Sequence, residues 1–267
     1  VLLREARQNI ARLLGVDGLE VIFTSGGSEA NNLALQGLWQ APVEGRDQLI
    51  ISAVEHPSVL KTAESLMSRG FRVDKVRVNR DGVLDLDHLD DLISDRTALV
   101  SIMYANNETG HLMPIKSVVE IAHRRGVLVH CDAVQGLGKM PLNLPELGVD
   151  MASFSGHKFY ALKGSGFLYA RKGLRLNSLI YGGGQERGRR AGTENVLAAA
   201  SLGFMCGRAQ EIWPQAERLK KLRDHMEARI LSEISDCQVT GQAGLRLPNT
   251  SNMVIDGVDG ETLLMNL

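Results

Sequence analysis

The chain has 267 residues, 44% of them hydrophobic, and its 31 acidic side chains nearly balance its 30 basic ones. This length allows one large domain and part of a second, and the balanced charge points to no direct nucleic-acid partner and no anionic membrane. The three cysteines are widely separated, which predicts neither a disulfide framework nor a bound metal. No apolar run approaches the length of a membrane span. We therefore expect a protein of the reducing cytoplasm.

Apolar runs and amphipathic stretches alternate along the first half of the chain. Short apolar runs predict strands at Val21–Thr24, Gln48–Ser52, Arg72–Val78, Ala98–Met103 and Val127–Cys131. Helical periodicity predicts helices at Leu2–Leu14, Ala30–Leu38, Ser58–Ser68, Asp87–Ile93 and Ile115–Arg125. Such alternation is typical of α/β proteins, in which helices cover both faces of a mostly parallel sheet.

The pattern changes after a further apolar run, Val149–Phe154. The run Phe167–Ala170 follows it so closely that we expect an antiparallel return strand. A glycine- and arginine-rich loop then leads into a long helical region, Glu194–Ser232, which Pro214 is expected to interrupt or kink.

The last part of the chain predicts the beginning of a second, smaller domain. Gln238–Thr240 and Ser251–Ile255 have the character of strands, and Leu263–Leu267 that of a helix start. We expect residues 1–207 to form the large domain, and residues 208–267 a linking helix and the start of a small α+β domain. Because the chain lacks an initial methionine and has too few residues left to close a second sheet, both domains are expected to be incomplete.

Lys158 lies in a turn at the end of the apolar run Val149–Phe154. Two hydroxyls, one glycine and His157 flank it in the segment Ser153-Phe154-Ser155-Gly156-His157-Lys158. An amine that is held away from bulk water and near polarising groups loses its proton readily and becomes nucleophilic. The segment therefore predicts a lysine for Schiff-base chemistry, against the plainer alternative of a solvated lysine in a polar loop.

The turn Ser25-Gly26-Gly27-Ser28 connects a predicted strand to a predicted helix. Small residues there let backbone N–H groups approach an anion, and the helix dipole and the Ser28 hydroxyl add to the attraction. The turn indicates a phosphate site, although an ordinary strand-to-helix connection with a serine cap would have a similar sequence.

Asp132 ends a predicted buried strand. Burying a carboxylate there costs free energy unless a cationic group pairs with it. A protonated heterocyclic nitrogen would serve, and Gln135 is near enough to reach the same ligand through its amide. Asp132 could instead cap the short helix that follows, and the residues alone leave both roles open.

Two other strand ends carry polar side chains. His56 could lay its imidazole over an aromatic ring, and Asn107 could donate to a ring oxygen or a carboxylate. A loop histidine and a conformational asparagine turn are the plainer alternatives. Because ligands of parallel α/β sheets collect at the carboxyl ends of the strands, the combined set describes one ligand, pyridoxal 5′-phosphate, whose ring serves as an electron sink.

Six motifs, in this order, resemble those of the class V, fold-type I pyridoxal-phosphate enzymes, and within them the cysteine desulfurases of the NifS/IscS kind. They begin at Ser25, Glu55, Asn106, His130, Ser155 and Gly182 and read SGGSEANN, EH, NNETG, HCDAVQ, SGHK and GGGQERGRRAGTEN. The last motif is the most discriminating, and the resemblance covers essentially the whole chain. It implies the fold-type I large domain, with a mostly parallel sheet between helices, followed by a small α+β domain.

The resemblance also implies a role for each candidate residue. Lys158 would hold the cofactor aldehyde, and His56, stacked on the ring, would act with it in catalysis. Asp132 would contact the ring nitrogen, and Gln135 and Asn107 would lie near the ring hydroxyl or the substrate. The phosphate would be held by Gly27, Ser28, Ser155 and His157. Thr193 would reach the phosphate of the neighbouring subunit in a homodimer.

The implied reaction takes sulfur from L-cysteine, leaves L-alanine and loads a persulfide for a sulfur-acceptor protein such as an iron–sulfur scaffold. A selenocysteine lyase, an aminotransferase and an inactive homologue that serves as a partner subunit are the alternatives. Family members carry the nucleophilic cysteine on a later loop, and none of Cys131, Cys206 and Cys237 fits that role. We therefore expect this polypeptide by itself not to complete sulfur transfer.

Overall fold

The computed structural model describes residues 1–39, 45–241 and 244–267. Within these ranges the helices are α1 (Leu2–Leu14), α2 (Gly27–Trp39), α3 (Pro57–Met67), α4 (Leu86–Leu92), α5 (Ile115–Arg124), α6 (Leu144–Leu147), α7 (Val196–Gly207), α8 (Ala209–Glu233) and α9 (Gly260–Asn266). The strands are β1 (Val21–Thr24), β2 (Gln48–Ser52), β3 (Arg72–Val76), β4 (Thr97–Ser101), β5 (Leu128–Asp132), β6 (Met151–Ser155), β7 (Gly166–Ala170), β8 (Cys237–Val239) and β9 (Met253–Ile255).

The first seven strands form one sheet in the order β1-β7-β6-β5-β4-β2-β3. The pairs from β3 through β2, β4 and β5 to β6 are parallel, whereas β7 pairs antiparallel with both β6 and β1. The predicted mostly parallel sheet and the predicted antiparallel return strand are both confirmed. Because β7 alone runs the other way, the carboxyl ends of β1, β2, β4, β5 and β6 lie at the same edge of the sheet.

Helices cover both faces of this sheet. Ile10 of α1, Val118 of α5 and Leu202 of α7 belong to one buried hydrophobic cluster, and Leu35 of α2 and Val59 of α3 belong to a second. Every residue of β1, β2, β4 and β6 is buried. Such strands have no solvent-facing side, so side chains that meet a ligand have to come from the loops and helix ends at the strand termini.

The helical region after the glycine- and arginine-rich loop is interrupted at a different residue from the one predicted. Arg208 separates α7 from α8, because its dihedral angles of −105° and 6° leave the helical region. Pro214 lies inside α8. Its missing N–H removes one intrahelical hydrogen bond there, and the helix continues to Glu233.

Strands β8 and β9 form a separate two-stranded antiparallel sheet. Arg246, which lies between these strands in the chain, forms a buried ion pair with Glu227 of α8 and a β-bridge with His111. The division of the chain at residue 207 stays a prediction. No helix within the described ranges is long and apolar enough to cross a membrane.

Candidate active site

A cavity of about 250 Å³ opens at the edge of the sheet where the parallel strands end. All the predicted cofactor residues except Thr193 line it, namely Gly27, Ser28, His56, Asn107, Asp132, Gln135, Ser155, His157 and Lys158. These residues follow five different strands, β1, β2, β4, β5 and β6. The fold therefore brings together groups that are far apart in sequence, although the structure does not test what each of them binds.

The predicted phosphate turn lies at the N-terminus of α2. Helix α2 begins at Gly27, so the N–H groups of Gly27 and Ser28 belong to its first turn and have no partner within the helix. A Cβ atom on Gly27 would lie 2.7 Å from a methyl group of Val134, which explains the glycine. On the facing strand end, Ser155 Oγ lies 2.8 Å from His157 Nδ1. The arrangement offers several donors to an anion, and phosphate binding here stays a prediction.

Asp132 is buried at the end of β5 and has two hydrogen-bond donors. Its Oδ1 accepts from the backbone N–H of Val134 at 3.1 Å, and its Oδ2 accepts from Asn31 Nδ2 at 2.7 Å. Burial raises the pKa of Asp132, while the bonds from Asn31 and Val134 and the nearby His56 oppose this rise. Asp132 therefore caps the following turn, as one of the two predicted roles requires, and its buried carboxylate would still be stabilised by a cationic ligand.

Asn31 is a site residue that the sequence reasoning missed. It is 1% exposed, lines the cavity, and bonds both Asp132 and Ser58. A signal was available, because Asn31 lies four residues after Gly27 on α2 and so faces the same side of the helix.

The neighbouring residues Asn106 and Asn107 differ in what their side chains contact. Asn106 holds the turn, since its Oδ1 accepts from the backbone N–H groups of Glu108 and Thr109 at 2.9 Å and 3.0 Å. Asn107 is exposed and lines the cavity. A ligand in the cavity can therefore reach the Asn107 amide, and the role predicted for Asn107 stays a prediction.

Lys158 lies on a single 3₁₀ turn, Gly156–Phe159, directly after β6. It lines the cavity but is exposed, so the expected shielding of its amine from bulk water is wrong for the described residues. The turn buries Gly156 and Phe159 and leaves His157 and Lys158 exposed. Lys139 provides a second amine near Lys158. Burial and the charge of Lys158 lower the pKa of Lys139 to about 8.

Thr193 lies apart from the other candidates, in a second cavity of about 180 Å³. The loop that precedes it is fixed at two points. Glu186 forms a paired salt bridge with Arg7, and Arg190 forms one with Glu29 at 2.8 Å. The role predicted for Thr193, at the phosphate of a neighbouring subunit, stays a prediction.

The cysteines have the surroundings of structural residues. Cys131 and Cys206 are buried, and burial raises the pKa of the Cys206 thiol to about 12 and that of Cys131 well above its usual value. Cys237 is half-buried in β8. A thiol acts as a nucleophile in its thiolate form, so Cys131 and Cys206 are poor nucleophiles here.

Glu55 is a second buried acid that the sequence reasoning assigned no role. It is 4% exposed, and its Oε1 accepts from Ser52 Oγ at 2.5 Å and from the N–H of Met103 at 2.9 Å. Burial raises the pKa of Glu55 to about 8, and the charge of Asp132 adds to the rise. Glu55 therefore keeps its proton near neutral pH.

We expect Glu55→Gln to remove a pH dependence of stability. In the folded protein Glu55 keeps its proton up to about pH 8, whereas its unperturbed pKa is 4.5. Its stabilising contribution is therefore complete below pH 4.5 and is lost as the pH rises towards 8, a change on the order of 5 kcal/mol. Denaturant unfolding across this pH range measures it.

The variant Glu120→Gln is the matched control, because Glu120 is exposed on α5. The free energy of unfolding should fall with pH in this control as it does in the unmodified protein, and should fall less in Glu55→Gln. An equal slope in all three proteins would show that Glu55 is ionised in the folded state.

The whole chain, residues 1–267, matches the sequence pattern of the family described as aminotransferase class-V. The chain belongs to the class V aminotransferase family. Membership implies pyridoxal phosphate as the cofactor, and the donors around the cavity are of the kinds that this group requires.

Several relatives within the class V aminotransferase family are named cysteine desulfurases, which confirms the predicted resemblance. One from Nostoc sp. strain PCC 7120 is 44% identical over 99% of this chain and 66% of its own length. The cysteine desulfurase NifS of Azotobacter vinelandii is 42% identical, again over 99% of this chain and 66% of its own length. The chain thus spans just under two thirds of the length of these curated relatives.

Solved structures confirm the fold class. A NifS-like protein superposes with a TM-score of 0.93 at 37% identity, covering 98% of this chain and 72% of that protein. DndA from Streptomyces lividans has a TM-score of 0.90 at 33% identity, covering 99% of this chain and 75% of its own. A structure of SspA in complex with cysteine has a TM-score of 0.86 at 32% identity, covering 99% and 74%.

Proposed function

We propose that the protein is a pyridoxal-phosphate-dependent cysteine desulfurase, which converts L-cysteine to L-alanine and passes the sulfur on as a persulfide. The observation that carries the proposal is the single cavity in which a lysine, a buried carboxylate, an imidazole and a helix N-terminus meet. Each of these groups matches one part of pyridoxal phosphate.

The residues present fit the cofactor chemically. Asp132, buried and raised in pKa, would meet the protonated ring nitrogen, and the first turn of α2 with Ser28 would meet the phosphate. Lys158 would hold the aldehyde, and His56 would lie on the ring. When bound, the cofactor supplies an electron sink for bonds at the α-carbon of an amino acid.

L-Cysteine is the proposed substrate, and two findings support this choice. The relatives that match nearly the whole chain are named cysteine desulfurases, and the SspA structure was solved with cysteine. Asn107 and Gln135 line the cavity, and their amides can bind a substrate carboxylate or the ring hydroxyl. The sulfur acceptor is a protein, of which an iron–sulfur scaffold is the proposed example.

We place the enzyme in the cytoplasm as a homodimer. Thr193 lines a different cavity from the other candidate residues, and it would reach the phosphate of the other subunit across a twofold axis. Leu197 and Phe204 on α7 support an interface nearby, since they are 74% and 60% exposed and lie seven residues apart on one helix face. The free thiols of all three cysteines suit a reducing compartment.

The function is tested with the protein produced from its complete reading frame and loaded with pyridoxal phosphate. Formation of alanine and sulfide is measured with L-cysteine in the presence of a thiol reductant. We expect equal amounts of both products and no need for a keto acid.

Each alternative function has its own outcome in this assay. A selenocysteine lyase would form alanine from L-selenocysteine and not from L-cysteine, and an aminotransferase would need a keto acid as acceptor. A protein that binds the cofactor but changes none of these substrates would support the inactive partner subunit. Any of these three results would overturn the proposal.

A further inference from the structure

A chain of hydrogen bonds joins the two ligand-facing side chains His56 and Asp132. We propose that Asn31 and Ser58 hold the His56 imidazole in one tautomer, with its proton on Nε2, and link the ring to Asp132. Both would be positioning residues. The inference concerns the ligand-free protein, and its consequence for catalysis rests on the proposed function.

The first step is the cap of α3. His56 is the N-cap residue of this helix, and its Nδ1 accepts the backbone N–H of Ser58 at 3.1 Å. A backbone N–H can only donate. Nδ1 therefore presents its lone pair, and the proton of the neutral ring is left for Nε2.

The second step is the direction of the Ser58 hydroxyl. Ser58 Oγ lies 2.7 Å from the same Nδ1 and accepts from Asn31 Nδ2 at 2.8 Å. Because Nδ1 has a lone pair and the Asn31 amide supplies a proton, the hydroxyl accepts from Asn31 and donates to Nδ1. Both contacts of the hydroxyl then favour the same tautomer.

The third step is the orientation of the Asn31 amide. The same Nδ2 donates to Asp132 Oδ2 at 2.7 Å, and a carboxylate can only accept. Turning the amide over would set its oxygen against that carboxylate. At 1% exposure Asn31 has little access to water that could replace these bonds. Asp132 therefore fixes the orientation of the Asn31 amide, and the amide fixes the direction of the Ser58 hydroxyl. The hydroxyl in turn fixes the tautomer of the His56 ring.

The fixed tautomer determines which atom of the His56 ring can bind a ligand in the cavity. With Nδ1 occupied by Ser58, Nε2 is the only polar atom that the ring can offer to a ligand. It is therefore a hydrogen-bond donor before any ligand arrives. If the proposed function holds, the cofactor meets a ring whose tautomer is already fixed through the residue that meets its nitrogen.

The test is ¹⁵N NMR of the ligand-free protein labelled at histidine, at a pH where the imidazoles are neutral. The nitrogen shifts distinguish the two tautomers, and a His56→Gln sample identifies the His56 signals. We expect the Nε2–H form in the unmodified protein. Asn31→Leu and Ser58→Ala should each shift the tautomer ratio about fivefold towards Nδ1–H, since each removes one supporting hydrogen bond.

Asn32→Leu is the matched control, because Asn32 is the neighbouring amide on α2 and bonds Ser28 instead. It should leave the His56 ratio unchanged. If Asn31→Leu does not fold, Ser58→Ala removes only a hydroxyl and keeps the test decisive. A proton on Nδ1 in the unmodified protein, or an unchanged ratio in Ser58→Ala, would overturn the inference.

The measurement separates this inference from the proposed function. The tautomer is determined without cofactor or substrate, so it stands or falls independently of activity. Addition of pyridoxal phosphate then forms a second arm, in which the His56 Nε2 signal should move. A fixed tautomer whose signal ignores pyridoxal phosphate would count against the proposed function alone.

Discussion

Replacement of Lys158 by alanine should abolish the borohydride-stable attachment of pyridoxal 5′-phosphate to the protein. Lys158 follows β6 directly and is the one lysine that lines the 250 Å³ cavity among the residues that the structure describes. Only a covalent link between the cofactor aldehyde and an amine becomes permanent on reduction. Intact mass and peptide mapping after reduction measure the attachment, and we expect the label on Lys158 and a fall to background in Lys158→Ala.

Two nearby lysines make this experiment demanding. Lys163 lies on the same loop, and Lys163→Ala is the matched control that should keep the full label. Lys139 is the serious competitor, because its pKa, lowered to about 8 by burial and by Lys158, leaves an appreciable share of neutral amine. If peptide mapping finds the label on Lys139 in the unmodified protein, the assignment of Lys158 is refuted.

Glu186→Ala should lower the free energy of unfolding by about 3–5 kcal/mol, the usual result of breaking a buried ion pair. Glu186 is 6% exposed and accepts two hydrogen bonds from Arg7, at 3.0 Å and 2.6 Å, and one from the N–H of Phe23 at 3.0 Å. Its loss leaves a mostly buried guanidinium and a buried N–H without their partner. Denaturant unfolding at neutral pH measures the change.

The backbone of Glu186 does not complicate this comparison. Its φ of 45° is unfavourable for any residue with a Cβ atom, so alanine carries a similar strain and the difference comes from the carboxylate. Glu233→Ala is the control, since Glu233 forms an exposed pair with Arg229 on α8, and such pairs are worth about 1 kcal/mol or less. Equal losses in the two variants would show that the Arg7–Glu186 pair contributes no more than a surface contact.

The effect should extend to the loop that carries Thr193. Glu186 and Arg190 fix this loop to α1 and α2 through separate salt bridges. If Thr193 reaches a second subunit as proposed, a loosened loop should also weaken the dimer. Sedimentation of Glu186→Ala at several protein concentrations would detect that change independently of the stability measurement.

The sequence by itself determined the architecture and nine of the residues that line the cavity, although not Asn31. Alternating apolar runs and amphipathic stretches specify strands and helices locally, because side-chain periodicity decides which face of each element is buried. The turn chemistry at each strand end is equally local, which is why Gly27, Asp132 and Lys158 were identified without coordinates. Their common location then follows from the general rule that parallel strands present their carboxyl ends to one edge.

Only the tertiary structure decided how these side chains are partnered. The bond between Asn31 and Asp132 joins residues 101 positions apart, and it exists because α2 packs over β5 and β6. The burial of Glu55, the exposure of Lys158 and the separation of Thr193 from the cavity likewise depend on strand order and helix packing. A residue's periodicity reports its own segment, whereas burial, hydrogen-bond partners and pKa depend on every segment that packs against it.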